Sequence, residues 1–149
     1  METNLFVYGT LLKGMPSRMA ARLQEEAAFI GEGYVSGILV DLGYYPGVVL
    51  IPGAETRVYG HIFRLFFPEK TIQELDRYED VGHGTAHRAP YRREIAEVRV
   101  GDAVLPCWVY VCQMDYSGLP VISGGDYRSY LAQGSHPKHW KFMQDGEDR

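Results

Sequence analysis

Cysteine is scarce in this chain of 149 residues, which contains only Cys107 and Cys112. If both lie on one strand, their positions are separated by about 16 Å, which is too far for a disulfide bond. Two thiols are also too few for a zinc site that is built from thiolates alone. We therefore expect two reduced cysteines in the core and no disulfide.

The sequence also lacks a long hydrophobic run and a block of basic residues. No apolar stretch approaches the roughly 18 residues of a membrane-spanning helix, and the opening Met-Glu-Thr-Asn lacks the basic region of a signal peptide. The formal net charge of −4 argues against nucleic acid as a partner. These absences predict a cytoplasmic protein that binds neither nucleic acids nor membranes.

The common motifs for phosphates and metals are missing as well. The sequence contains no G-x-G-x-x-G and no G-K-[ST] pattern, so it does not predict a phosphate-binding loop. His83 and His87 are four residues apart, but the residues between them are not helical and no H-E-x-x-H motif exists. The sequence therefore predicts no metal site.

The residues that are present indicate one α+β domain. The hydrophobic fraction of 46% and the charged fraction of 23% are ordinary for a globular protein, and the length suits a single domain. The hydrophobic pattern predicts six or seven strands with two or three short helices and no regular β-α-β alternation. This mixture favours a small barrel over residues 1–134, followed by a polar tail over 135–149.

Several of these elements have clear signals in the sequence. Apolar residues at helical spacing predict helices over 16–28 and 69–80. Between the first helix and residue 43, β-branched and aromatic residues interrupted by glycines predict one bent strand or two short strands. Gly-Asp between the apolar segments 91–100 and 103–112 predicts a β-hairpin.

An apolar strand over residues 4–8 ends in the sequence Tyr8-Gly9-Thr10-Leu11. A strand that is followed by Gly-Thr exposes consecutive backbone N–H groups, which can bind a carboxylate or an oxyanion. The alternative is a plain turn between a strand and a loop. These residues alone do not decide between the two interpretations.

Glu79 lies seven residues after Ile72 and four after Leu75, so helical periodicity places it on their apolar face. A carboxylate in apolar surroundings is costly unless it is paired, and its pKa tends to rise, which suits a general base near neutral pH. Asp76 would either orient Glu79 or cap a neighbouring loop. The alternative is that Glu79 lies at a frayed helix end and extends into water.

Seven segments of the chain together resemble the γ-glutamylcyclotransferase-like family, also called the avirulence-induced-gene-like family. They are, in order, FVYGTLLKG, LGYYPGVV, VYGHIFRL, LDRYEDV, YRREIAEV, CWVYV and SGGDYRSYL. The match runs from about Leu5 to Leu131, and its most specific parts are Tyr-Gly-Thr-Leu and Leu-Asp-x-x-Glu. The segment between Glu79 and Tyr91 is longer than in the family and would either form a lid or reshape the pocket.

The resemblance implies an α+β fold that consists of a small mixed β-barrel with two or three short helices and a cavity at one end. Glu79 matches the acid/base glutamate of the family, and the loop after the first strand would bind the substrate through backbone amides. Tyrosine hydroxyls would complete the pocket. The implied substrate-binding residues are Tyr8, Gly9, Thr10, Leu11, Tyr45 and Tyr110.

The activity implied by the resemblance is cyclisation of a γ-glutamyl amide to 5-oxoproline with release of a free amine. The partner is then a small-molecule γ-glutamyl substrate, and the reaction needs no metal and no cofactor. The leaving amine and the oligomeric state stay open. One alternative is a non-catalytic module that binds a small molecule in the same cavity, although such a module does not need Glu79. Another is a hydrolase or transferase that acts on a different γ-glutamyl conjugate.

Overall fold

The computed structural model describes residues 1–43, 45–79 and 90–133. Within these residues the chain forms six strands and three helices, which agrees with the predicted α+β class. The strands are β1 (Asn4–Val7), β2 (Ala27–Asp41), β3 (Pro46–Leu50), β4 (Arg57–Leu65), β5 (Tyr91–Val100) and β6 (Ala103–Cys112). The helices are α1 (Arg18–Glu26), α2 (Pro68–Tyr78) and α3 (Tyr127–Ala132).

Five of the six strands close into a barrel. They pair in the order β1-β4-β2-β3-β6, and β6 returns to pair with β1. Strand β5 is the additional strand, which pairs with β6 along its whole length and meets β2 where Tyr34 lies opposite Arg99. Because β6 runs parallel to β1 and β3 while the other pairs are antiparallel, the barrel is mixed, as predicted.

Strand β2 is one long bent strand and not two short ones. Its register against β4 shifts between Phe29 and Gly31, which marks a β-bulge. Bulges bend a strand and increase its twist. The first part of β2 therefore pairs with β4, and its last residues, Gly37–Asp41, pair with β3.

The helix ends differ from the predicted bounds for local reasons. Helix α1 begins at Arg18 and not at residue 16, because the Ser17 hydroxyl caps it by accepting a 3.0 Å hydrogen bond from the amide of Ala20. It ends at Glu26, because the following residues pair with β4. Helix α2 begins at Pro68, in the favoured first-turn position.

The β5–β6 hairpin forms as predicted from Gly-Asp. Val100 pairs with Ala103, and Gly101 has a φ of +58°, a left-handed conformation that glycine adopts without steric cost.

The Asp126 side chain caps α3 by accepting hydrogen bonds from the amides of Arg128 and Ser129.

The two cysteines are free and buried, so the expectation of reduced core thiols is confirmed. Burial raises the pKa of the Cys107 thiol to about 12.

In the described ranges no helix combines the length and the apolar character that a membrane crossing would require.

Three predictions lie outside the described residues. They are the domain boundary after residue 134, the spacing of His83 and His87, and the long segment that follows Glu79.

Candidate active site

One narrow cavity is lined by all of the residues that the sequence analysis selected. It lies where β1, β6 and α2 end and where β3 and β5 begin, and its volume is about 30 Å³. The selected residues in its wall are Tyr8, Gly9, Thr10, Leu11, Tyr45, Glu79 and Tyr110. Phe6, Val7, Pro46 and Tyr91 complete the wall. The fold thus brings residues from five different elements and their loops to one place.

The loop after β1 presents three consecutive backbone donors. In the described part of the chain, the amides of Gly9, Thr10 and Leu11 donate to no acceptor, although all three residues are buried. Buried amides without an acceptor are rare in folded proteins, because leaving them unpaired costs free energy. These three N–H groups can therefore serve a bound anion.

Contacts with three neighbouring elements fix this loop. The Thr10 carbonyl accepts a hydrogen bond from the Ser17 hydroxyl at 3.1 Å, and the Thr10 hydroxyl lies 3.0 Å from that of Tyr78 on α2. The amide of Lys13 donates to Nδ1 of His61 on β4 at 2.9 Å. The loop is therefore held before any ligand arrives.

Gly9 is required by a close approach across the cavity. A Cβ atom at this position would lie 2.8 Å from Cγ and 3.1 Å from Cδ of Pro46. Both distances are shorter than ordinary van der Waals contact. A side chain at residue 9 would therefore push the two walls apart and disturb the packing as well as the cavity.

Glu79 lies at the C-terminal cap of α2, where its amide donates to the Leu75 carbonyl at 2.8 Å. Only 7% of the surface of Glu79 is exposed to solvent. The alternative, in which Glu79 extends into water from a frayed end, is therefore wrong. The predicted apolar face of α2 does place this carboxylate in the cavity wall, beside buried Ile72 and Leu75.

Tyr110 belongs to a polar network behind the cavity. Its hydroxyl donates to Oδ1 of Asp76 at 2.7 Å, and the guanidinium of Arg93 donates to both oxygens of Asp76 at 2.9 and 3.1 Å. The Arg93 guanidinium also lies over the ring of Trp108, 4.3 Å from its centroid. Asp76 therefore holds Tyr110 in place.

Three effects raise the pKa of Tyr110. The largest is burial, followed by the hydrogen bond to Asp76 and by the negative charges of Asp76 and Glu79. The Tyr110 hydroxyl therefore stays protonated and acts as a donor. This hydroxyl is hydrogen-bonded to Asp76, and Tyr110 also lines the cavity, where the resemblance implied a substrate-binding residue.

Two further tyrosines brace the walls. The Tyr8 hydroxyl donates to the Tyr110 carbonyl and accepts from the amide of Val48, and the Tyr91 hydroxyl donates to the Pro46 carbonyl. Sequence reasoning did not select Tyr91, since a tyrosine at the start of a strand carries no local signal for a partner 45 residues away.

His61 couples the stability of the loop to pH. Burial lowers its pKa below the ordinary value of 6.5, and the charge of Arg128 lowers it further, whereas Glu32 opposes the shift. Lys13 also lowers the pKa slightly. The folded protein thus binds this proton less readily than the unfolded chain. The contribution of neutral His61 to the free energy of unfolding is complete above about pH 6.5, and it is lost as the pH falls through the pKa of His61 in the folded protein.

We therefore expect the free energy of unfolding to depend less on pH in His61→Gln. Gln can still accept the hydrogen bond from Lys13 but does not titrate. Urea unfolding of both proteins from about pH 7.5 to about pH 5 measures the difference. If the two curves run parallel on acidification, the role of His61 is contradicted.

The described residues contain no group of three His, Cys, Asp or Glu side chains that is suited to hold a metal ion.

Comparisons with known proteins agree with this architecture. The family model "Gamma-glutamyl cyclotransferase, AIG2-like" matches residues 5–129. The Gamma-glutamylcyclotransferase family protein YtfP of Escherichia coli K12 is 31% identical over 124 residues, which are 83% of this chain and 94% of that protein. The YtfP protein of Citrobacter rodentium is also 31% identical, over 83% of this chain and 93% of its own length.

Solved structures are similar over most of the chain. The crystal structure of an AIG2-like protein from Mus musculus aligns with a TM-score of 0.69 at 26% identity, covering 90% of this chain and 93% of that one. YkqA from Bacillus subtilis aligns with a TM-score of 0.66 at 23% identity. This match covers 91% of the present chain but only 44% of YkqA, so it shows the fold alone. On the match to residues 5–129 and the identity with YtfP, the chain belongs to the Gamma-glutamyl cyclotransferase, AIG2-like family.

Proposed function

We propose that this protein is a γ-glutamylcyclotransferase that converts a γ-glutamyl amide into 5-oxoproline and a free amine. One observation carries the proposal: the carboxylate of Glu79 lines the same cavity as three amides of the loop after β1 that have no acceptor among the described residues. Such a cavity offers an acid/base group and an anion-binding site within one small space. These are the two parts that an intramolecular aminolysis needs.

The substrate supplies its own nucleophile. Its α-amino nitrogen attacks its γ-carbonyl carbon, and the new C–N bond closes a five-membered ring. The bond between the γ-carbon and the leaving nitrogen then breaks, which releases the amine. Glu79 carries two protons in turn from the attacking nitrogen to the leaving nitrogen, so the α-ammonium group becomes the lactam N–H, the amine leaves in its protonated form and Glu79 is restored as a carboxylate. The protein also holds the substrate in the folded geometry that ring closure requires.

The amides of Gly9, Thr10 and Leu11 have one of two roles in this scheme. They bind either the α-carboxylate of the substrate or the oxyanion that develops on the γ-carbonyl oxygen. The Tyr110 hydroxyl is held by Asp76 and stays protonated, so it adds a fixed dipole beside Glu79.

The cavity must widen to admit a γ-glutamyl group. Its volume of about 30 Å³ is far below the range of about 300–1,000 Å³ that is usual for small-molecule sites. Most wall residues are buried, but Tyr45 is only half-buried and packs against Tyr91 with 5.9 Å between ring centroids. Tyr45 is therefore the wall residue that we expect to move when a substrate enters.

The test is release of 5-oxoproline from a panel of γ-glutamyl compounds whose leaving groups are amino acids, peptides or polyamines. At least one member should be turned over by the wild-type protein without added metal. Saturable binding in the cavity without release from any member would favour a non-catalytic binding module. Release of glutamate in place of 5-oxoproline would instead indicate a hydrolase.

A further inference from the structure

A second cleft lies next to the cavity, across the loop after β1. Leu11 lines the cavity, whereas the next residue, Leu12, lines the cleft. The volume of the cleft is about 350 Å³, which falls within the range of about 300–1,000 Å³ for small-molecule sites. Its walls come from β2, β4, β5 and the start of α3. The proposed cyclisation uses none of these residues.

Four charged side chains line the cleft, two of each sign. The positive ones are Arg99 and Arg128, and the negative ones are Glu32 and Asp126. Throughout the described ranges, neither arginine forms an ion pair or a side-chain hydrogen bond. Both guanidinium groups therefore remain available to a ligand.

The two carboxylates have only partial local roles. Glu32 is 3.7 Å from Nε2 of His61, and its side chain is 81% exposed. Asp126 uses Oδ1 to cap α3. Each carboxylate can still accept from a further donor, because a carboxylate has about four lone-pair sites.

The cleft also offers an aromatic surface. Tyr34 and Tyr59 lie opposite each other on β2 and β4, with ring centroids 6.0 Å apart. The guanidinium of Arg57 covers the ring of Tyr34 at 4.3 Å, while Tyr59 is 43% exposed. The ring of Tyr59 is thus available to an apolar group.

The balance of charges selects the class of ligand. A dianion would meet two carboxylates, and a simple cation would meet two guanidinium groups. A zwitterion pairs with both signs at once, through its carboxylate at the arginines and its ammonium group at the acids. From this arrangement we propose that the cleft binds a free α-amino acid, with its side chain against Tyr59.

Three probes separate the contributions of the two charges. L-leucine carries both groups, 4-methylpentanoate lacks the ammonium group, and 3-methylbutylamine lacks the carboxylate. NMR titration of the amides of Gly33, Gly60 and Gly101 reports on the cleft, and the amide of Gly9 reports on the cavity. We expect saturable shifts at the cleft with L-leucine, and at least about tenfold weaker binding of either fragment.

Matched variants test the side chains. Arg128→Gln and Glu32→Gln should each weaken L-leucine binding at least about tenfold. Arg64→Gln and Glu97→Gln remove exposed charges outside the cleft and should change the affinity less than about twofold. Glu79→Gln should bind L-leucine normally, which keeps this result independent of the proposed catalysis.

Several outcomes would overturn the proposal. They are the absence of saturable shifts at the cleft, shifts confined to Gly9, equal affinity for L-leucine and a single-charge fragment, or equal losses in the control variants. Tighter binding of leucyl-leucine than of L-leucine would also overturn it, because the two charges would then belong to a peptide and not to a free amino acid.

Discussion

Glu79→Gln is expected to lower turnover by about 100- to 10,000-fold, the usual contribution of general acid–base catalysis. Gln keeps the shape and the hydrogen-bonding capacity of the side chain, but it cannot take the proton of the α-ammonium group. Glu79 is 7% exposed and lines the cavity beside the loop amides, so no bulk water replaces it efficiently. The measurement is 5-oxoproline release by both proteins on the best substrate of the panel.

Folding of this variant should be preserved. Gln keeps an oxygen that accepts hydrogen bonds and removes the cost of burying a charge, so the melting temperature should change little. Glu69→Gln is the matched control, because Glu69 is exposed in the first turn of the same helix. Equal turnover of Glu79→Gln and the wild type would remove Glu79 from catalysis. An equal loss in Glu69→Gln would point to a general effect on the helix.

Local sequence patterns predicted the individual elements well. Gly101 closes the β5–β6 hairpin as predicted, and Ser17 and Pro68 place the starts of α1 and α2 within two residues of the predicted ones, because capping and turn chemistry act between near neighbours in the chain. The position of Glu79 followed from its spacing to Ile72 and Leu75. A period of 3.6 residues holds whatever else packs against the helix.

The hydrophobic pattern favoured a small barrel, but its mixed strand directions were expected only from the family resemblance, and the strand pairs that close it were not predicted. Leu5 pairs in parallel with Trp108, more than 100 residues later, and no local pattern specifies such a partner. Strand β2 shows the same limit, because its sequence fitted one bent strand or two short ones. The pairing with β4 on one part and β3 on the other decides for one strand.

The candidate site was visible in part. The loop after β1 and Glu79 carry local signals, namely a glycine at a strand end and a carboxylate on an apolar face. The residues that hold Tyr110 in place carry no such local signal, because Asp76 contacts Arg93 and Tyr110 at sequence separations of 17 and 34 residues. The second cleft was missed for the same reason: its charged residues lie on three elements and gain meaning only from their proximity.

Asp76 connects this support to the proposed chemistry as a positioning residue. Its Oδ1 accepts from both Arg93 and Tyr110, and its Oδ2 accepts from Arg93. Asn in its place offers one oxygen and one NH₂ group, so it cannot satisfy all three donors. Either the Tyr110 hydroxyl or the Arg93 guanidinium then loses an acceptor beside the cavity.

We expect Asp76→Asn to lower turnover on the order of 100-fold, since a shift of about 1 Å in a positioned group has effects of that size. Removal of the negative charge of Asp76 also leaves Arg93 without its ion-pair partner, and Arg93 and Glu79 both act electrostatically on the Tyr110 hydroxyl. The loss of the Asp76 charge and the unmatched positive charge of Arg93 both favour the ionised form of the Glu79 carboxylate. The acid limb of the kcat/KM profile should therefore move to lower pH. A merely structural role of Asp76 would lower activity without moving that limb.

Two further variants complete the test. Tyr110→Phe keeps the Asp76–Arg93 pair and removes only the hydroxyl, so it should lose turnover to a similar degree while the acid limb moves little. Asp102→Asn, in the exposed β5–β6 turn, is the matched control for charge and should behave like the wild type. Melting curves establish the folded fraction of each protein. Wild-type turnover in Asp76→Asn would contradict the positioning role. A lower turnover with an unmoved acid limb would contradict it as well, because the charge of Asp76 would then have no effect on the ionisation of Glu79.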